Sequence, residues 1–319
     1  MLIVSDIGPL PNLSEIFSSL GGYTPIVSLA SVSAPKYALG MPLGYYAIVG
    51  RKIGSFFARL HSPSSLSCIV NSPHHGTEFL SHPTMRDIVL DHAIRPLKDQ
   101  LELFPQILPA SEAKILYQRV EDNFVRSPPM NERAMILGDC WTGAILVGTI
   151  EDDPTVGVID WEFASIGRGV DGDMAQFLAH LQLFQLAASW HEQSNQHRAL
   201  EILTGELTTA YRRQSITEGA KWVREGKPAA DSLQARMMRS AFLGCAAEMI
   251  NCAFWKVWPC ESPSCGTPHP TEQEGCKLIQ QMVERAVWYL RLAGGDETEF
   301  VREENWLATQ ADGYIGRLF

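Results

Sequence analysis

Two short polar loops, each entered from an apolar run of strand length and each carrying an aspartate, constrain this chain more than any other feature. The first is Leu137-Gly138-Asp139-Cys140-Trp141-Thr142-Gly143-Ala144-Ile145-Leu146, and the second is Val158-Ile159-Asp160-Trp161-Glu162-Phe163. Residues 134–137, 144–147 and 156–159 read as strands, the last entered through the turn Asp152-Asp153-Pro154. Asp160 lies 21 positions after Asp139. A β-hairpin of that length presents both acids on one side of a cleft.

The rest of the sequence carries a helical period. Asn12, with Glu15 three residues on, reads as the cap of a helix that Gly21-Gly22 stops. Val49, Ile53, Phe56, Phe57 and Leu60 predict a helix after Pro42, ended by His61-Ser62-Pro63. Residues 63–82, rich in Ser, Pro and His, read as a surface loop. Helices are expected over 84–100 and 111–124. Beyond Asp173, Met174, Phe177, Leu178, Leu181 and Phe184 make one helical face, and further helices are expected over 233–258 and 272–292. Few, short, early strands followed by helices predict an α+β fold with segregated elements.

Charge and cysteines exclude some function classes. Among 319 residues, 26 are basic and 36 acidic, for a net charge of −10. That balance argues against a nucleic-acid partner, because phosphates reward clustered Lys and Arg. No apolar run reaches the ~18 residues of a membrane span. The first residues lack the basic start of a secretory signal, and the seven cysteines are scattered, so a reducing, cytoplasmic location is expected. Cys260, Cys265, His269 and Cys276 have no Cys-x-x-Cys spacing and lie among four prolines, so they read as a loop, not a zinc site.

Phosphoryl transfer needs what the two loops offer. One carboxylate takes or orients the proton of an acceptor hydroxyl, and others hold Mg²⁺ against the phosphates. Asp160-x-Glu162 supplies two hard oxygens if Trp161 turns the other way, as strand alternation allows. The first loop resembles the His-Gly-Asp-x-x-x-x-Asn catalytic loop of aminoglycoside phosphotransferases and choline kinases, and the second their Ile-Asp-Trp/Phe-Glu metal loop. Asp173-Met174-Ala175 resembles the opening of their next helix. Residues 53–61 look like the helix before the catalytic loop, and residues 2–8 like the hinge strand between kinase lobes.

This resemblance implies a single protein-kinase-like domain over 1–319: hinge strand 1–10, catalytic core 11–190, helical substrate-side extension 191–319. It is a mainly helical C-lobe with a small catalytic β-hairpin and the Gly-loop lobe largely absent. Asp139 is implied as base, Asp160 and Glu162 as Mg²⁺ ligands, and Ser5, Asp6 and Ile7 as contacts to ATP. Asp173 is implied as support of the catalytic loop, with Asp171 as its rival. The acceptor is implied to be a small-molecule hydroxyl. Leu137 stands where the family has His, and Ala144 where it has a metal-binding Asn. Methylthioribose kinase is similar in lacking that Asn, in its Asp-x-Glu pair and in a Thr-Gly pair like Thr142-Gly143. No Gly-rich loop or strand Lys precedes the hinge-like strand, so a catalytically inactive binding module and a truncated kinase are the alternatives.

Three decoys are set aside. Gly167-Arg168-Gly169-Val170-Asp171-Gly172 fits a dinucleotide fingerprint but lacks the βαβ context, and reads as the turn into the Asp173 helix. Cys140 has no base nearby and reads as packing. The Trp-rich run 254–258 reads as a core helix.

Overall fold

The computed structural model describes residues 11–20, 41–71, 83–150, 153–255 and 277–319. Helix α1, Leu13–Leu20, starts with the reciprocal cap that its sequence encodes. The Glu15 N–H donates to Asn12 Oδ1 at 2.9 Å, and the Asn12 N–H donates to Glu15 Oε2 at 3.3 Å. Helix α2, Leu43–Leu60, buries Val49, Ile53 and Phe57 completely, while Phe56 stays at the edge of the core.

Gly50 and Gly54 on α2 face α8, Ser194–Thr217. A methyl at either position would collide with a backbone carbonyl, of Leu203 or Leu207 respectively. The missing side chains let two helix backbones touch, and Phe57, His61 and Tyr211 fill the space beyond.

Two expectations need correction here. Residues 63–70 are not loop but helix α3, Pro63–Val70: Ser62 caps it by accepting the Ser65 N–H at 3.1 Å, and Pro63 opens it. The continuous helix expected over 84–100 is broken into α4, Pro83–Val89, a π-turn at Leu90–Ile94, and α5, Leu97–Glu102. Pro96 has no N–H to continue the ladder. Helix α6, Ala110–Val125, follows.

Four short strands come next: β1, Ala134–Ile136; β2, Ile145–Ile150; β3, Asp153–Val158; β4, Ser165–Gly167. They form two antiparallel pairs, β1 with β4 and β2 with β3, in registers running from Ala134 opposite Gly167 and from Ile145 opposite Val158. Asn12 bridges to Leu146 on the far edge of β2. Because the pairing is nested, the connection from β1 to β2 and that from β3 to β4 run alongside each other. These connections are the two acidic loops.

Below them the chain is helical, so the fold is mainly α with a small β component. Helix α7, Met174–Trp190, is apolar nearly all round and lies buried, touching α8, α9 (Leu233–Trp255) and α10 (Lys277–Leu292). Its predicted face is buried throughout, with Met174, Phe177, Leu178 and Leu181 fully so. Each such side chain contributes about 1.5–3 kcal/mol over exposure. No described helix is long and apolar enough to cross a membrane.

Candidate active site

The loop from β1 to β2 is held from below by one carboxylate. Asp173, 3% exposed at the head of α7, accepts the Leu137 N–H at 2.7 Å and the Gly138 N–H at 3.1 Å. Its Oδ2 also lies 3.2 Å from His61 Nε2, and His61 Nδ1 lies 2.9 Å from the Tyr211 hydroxyl. For Asp173 to accept, Nε2 carries the proton, which leaves Nδ1 to accept from Tyr211. One buried chain of hydrogen bonds thus ties α8, the end of α2 and α7 to the loop backbone. Burial, then the Asp173 charge, pushes the Tyr211 hydroxyl far above its ordinary pKa, so it stays a neutral donor.

Asp171 does different work. It takes the Arg168 guanidinium at 2.7 Å and the Ser240 hydroxyl at 2.7 Å, and so fastens the turn before α7 to α9. The glycines around it form a π-turn, Gly169–Asp173, leading into α7.

Gly138 has φ of +89°, and a side chain there would strike the Phe163 carbonyl. Only glycine permits both that backbone angle and that approach between the acidic loops. Asp139 follows. Its Oδ1 accepts from Gln176 Nε2 at 2.9 Å, while Gln176 Oε1 accepts the Cys140 N–H at 2.9 Å. One glutamine, three residues after Asp173 on α7, therefore fixes both the carboxylate and the loop behind it. Burial raises the Asp139 pKa; the Gln176 hydrogen bond lowers it, and the charges of Glu248, Asp160 and Asp173 raise it, leaving it above the ordinary aspartate value. Cys140 is fully buried and its thiol is pushed well up by burial, which suits packing and not nucleophilic attack.

Thr142 and Ala144 are buried in a short 3₁₀ turn, where the Ser14 and Thr142 hydroxyls lie 2.6 Å apart and join α1 to the loop. Ala144 sits in the core as a methyl group with no ligand atom, and its carbonyl accepts the Ile159 N–H at 3.0 Å.

The second loop departs from strand geometry. β3 ends at Val158, Asp160 adopts the left-handed conformation (φ 61°, ψ 48°), and Trp161–Phe163 is a 3₁₀ turn. The alternation invoked to aim Asp160 and Glu162 the same way does not operate here. Trp161 folds back, donating its indole N–H to the Val158 carbonyl at 2.9 Å and meeting Phe56 edge-on. Glu162 is exposed and Asp160 half-buried. Among the described residues, none of Asp139, Asp160 and Glu162 pairs with a Lys, Arg or His. The Asp160 charge is felt at Asp139, but among the described residues Asp139, Asp160 and Glu162 do not gather three ligand atoms within 4.8 Å of one another. Ser5, Asp6 and Ile7 lie outside the described residues, as do Cys260, Cys265, His269 and Cys276.

Sequence reasoning missed the neighbours of Asp139 on the helices beneath. Gln176 and His180 lie four apart on α7, and Glu248 and Cys252 four apart on α9. Polar residues at helical spacing in otherwise apolar helices were the available signal. Nothing in the sequence said that the two helices meet. The Trp141 ring, two residues past Asp139, stands 6.4 Å from the His180 ring. No protein-family model matches the sequence, and no curated protein matches it significantly.

Proposed function

We propose that the chain is a small-molecule phosphotransferase of protein-kinase-like fold, moving the γ-phosphate of ATP to an acceptor hydroxyl. The observation that carries this reading is Asp139: a desolvated carboxylate, aimed by Gln176, on a loop whose backbone Asp173 clamps, beside a second acidic loop. Asp139 takes the hydroxyl proton. Its raised pKa makes it a better proton acceptor than an exposed aspartate, and general-base catalysis contributes roughly 10²–10⁴-fold in comparable catalysts. Gln176 orients the carboxylate, and the Asp173 clamp holds the loop against recoil when the substrate docks. Asp160 and Glu162 are the residues that would hold Mg²⁺, with Asp160 the nearer to Asp139 in electrostatic effect. When bound, the cation neutralises charge on the phosphates. Cytoplasmic work on a metabolite or drug-sized alcohol suits this chemistry.

A second reading, a kinase-like binding module without turnover, is favoured by Ala144, whose buried methyl stands where the resembled family has a metal ligand. The deciding experiment is ATP turnover by the full chain across a panel of hydroxyl-bearing amines and sugars, with Asp139→Asn as control. Acceptor-dependent ADP release that disappears in the variant supports transfer. Saturable Mg-ATP binding with no turnover on any acceptor supports the binding module.

A further inference from the structure

Outside the two acidic loops, three ligand atoms of different chemistry converge between α7 and α9. His180 Nε2 lies 2.8 Å from Glu248 Oε1, Cys252 Sγ lies 3.4 Å from the same nitrogen, and Cys252 Sγ lies 3.2 Å from the same oxygen. Among the described residues this is the only group of three such ligand atoms within 4.8 Å of one another. Glu248 and Cys252 are one turn apart on α9, so both project from one face, and His180 meets them from α7.

The three contacts seen here differ from those within a nucleophilic triad. There the acid takes one ring nitrogen of the histidine and the nucleophile uses the other. Here carboxylate and thiol both address Nε2, which holds at most one proton. A single nitrogen, a single oxygen and a single sulfur gathered about one point form instead the face of a tetrahedron. With zinc bonds of about 2.0–2.1 Å to nitrogen, about 2.0–2.2 Å to oxygen and about 2.3 Å to sulfur, the edges of such a face run to roughly 3.3–3.6 Å. The two sulfur edges are within about 0.4 Å of that range. The His180–Glu248 edge needs to open by about half an ångström, a small rotation for a carboxylate whose side chain is 20% exposed.

We propose that His180, Glu248 and Cys252 form a binding site for a borderline-soft divalent cation, zinc above all, separate from Asp160 and Glu162. A mixed nitrogen, oxygen and sulfur set selects against Mg²⁺, which demands oxygen ligands. On binding, the Cys252 S–H bond breaks, its proton passes to solvent, and the sulfur electron pair forms the metal bond. A water or further donor completes the tetrahedron. The site depends on none of the phosphotransfer reading.

Cobalt(II) is the probe, because a thiolate ligand gives it a near-ultraviolet charge-transfer band. The full chain, stripped with chelator and kept reduced, is titrated with Co²⁺. The expected result is a band that saturates at one equivalent, is abolished by Zn²⁺, survives a large excess of Mg²⁺, and is lost in Cys252→Ser. Glu248→Gln should weaken Co²⁺ binding at least ~10-fold, since even supporting partners of metal ligands are worth roughly 10–100-fold. No band in the parent overturns the proposal. So does a band unchanged in Cys252→Ser, which would assign it to other cysteines such as Cys260, Cys265 and Cys276. Should Cys252→Ser fail to fold, alkylation of the parent decides: Zn²⁺ protection of the Cys252 peptide supports the site, and equal labelling with and without Zn²⁺ refutes it.

Discussion

Asp173→Ala tests whether one carboxylate holds the Asp139 loop. The substitution removes the acceptor for the Leu137 and Gly138 N–H groups and the partner of His61 Nε2. Leu137 is fully buried, so its donor bears most of the ~1–3 kcal/mol penalty of an unsatisfied group. Gly138 is exposed, and water can take over its N–H at small cost. His61 keeps Tyr211 but loses its other partner inside the core, which adds a penalty like that of Leu137. Together these give about 3–5 kcal/mol, the range for breaking a buried pair from one side. Against a total of ~5–15 kcal/mol that is a large fraction. Asp173→Asn keeps one acceptor oxygen and should lose about half as much. Urea unfolding, with the slope m checked for constancy, measures both. An Asp173→Ala chain within 1 kcal/mol of the parent, by this ~3–5 kcal/mol scale, would mean that the loop is held elsewhere.

Gly54→Ala should destabilise by about 1–3 kcal/mol despite alanine's better helix propensity, because its methyl meets the Leu207 carbonyl and lies 2.9 Å from the Tyr211 nitrogen. Gly44→Ala, on the same helix with nothing within 4 Å, should be neutral or stabilising in the same thermal melts. Asp139→Asn should abolish phosphotransfer yet raise the melting temperature at pH 7. A carboxyl whose folded pKa is raised contributes stability below the ordinary aspartate range and loses it as pH rises through the folded value, so the variant's advantage should shrink toward acid pH. A variant less stable than the parent at pH 7 would refute the desolvation argument. Asp160→Asn, which tolerates the same left-handed backbone, should eliminate Mg²⁺-dependent nucleotide binding, and Glu162→Gln should weaken it; unchanged Mg²⁺ titration in Glu162→Gln would remove that residue from the ligand set.

What the sequence made legible was local. The Asn12 and Glu15 cap, the apolar faces of α2 and α7, and the strands β1, β2 and β3 follow from spacing and capping chemistry within a few residues, whereas β4 and its pairing with β1 were not expected. Helix α3 escaped because its eight residues carry one buried side chain, Ile69, too few to display a period, although Ser62-Pro63 is a helix start. The second loop was misread because alternation was extended past Val158, and a left-handed Asp160 leaves no mark in a hydrophobic pattern. Gln176, His180, Glu248 and Cys252 were hidden for another reason. Their meaning lies in which helices touch, and the partners are 37 to 72 positions apart.

The concentration of local cost bears on whether the acidic loops are working parts or leftovers. Asp160 and Glu192 are the non-glycine residues with positive φ among those described. Glu192 follows the end of α7, where a left-handed residue commonly closes a helix. Asp160 has no such excuse, since it sits between a strand and a 3₁₀ turn. Beside it, Gly138 holds a left-handed angle in contact with Phe163, and Asp139 is a desolvated acid facing three others. The two aspartates each cost free energy that a single substitution would relieve: Asp139→Asn would remove the charge repulsion, and Asp160→Gly the backbone strain. Such costs are tolerated where a ligand repays them, and under the proposed phosphotransfer a cation with a polyphosphate would offset the repulsion between Asp139 and Asp160. Under the proposed reading one ligand would offset both costs, because the left-handed aspartate and the desolvated aspartate stand on the two adjoining acidic loops.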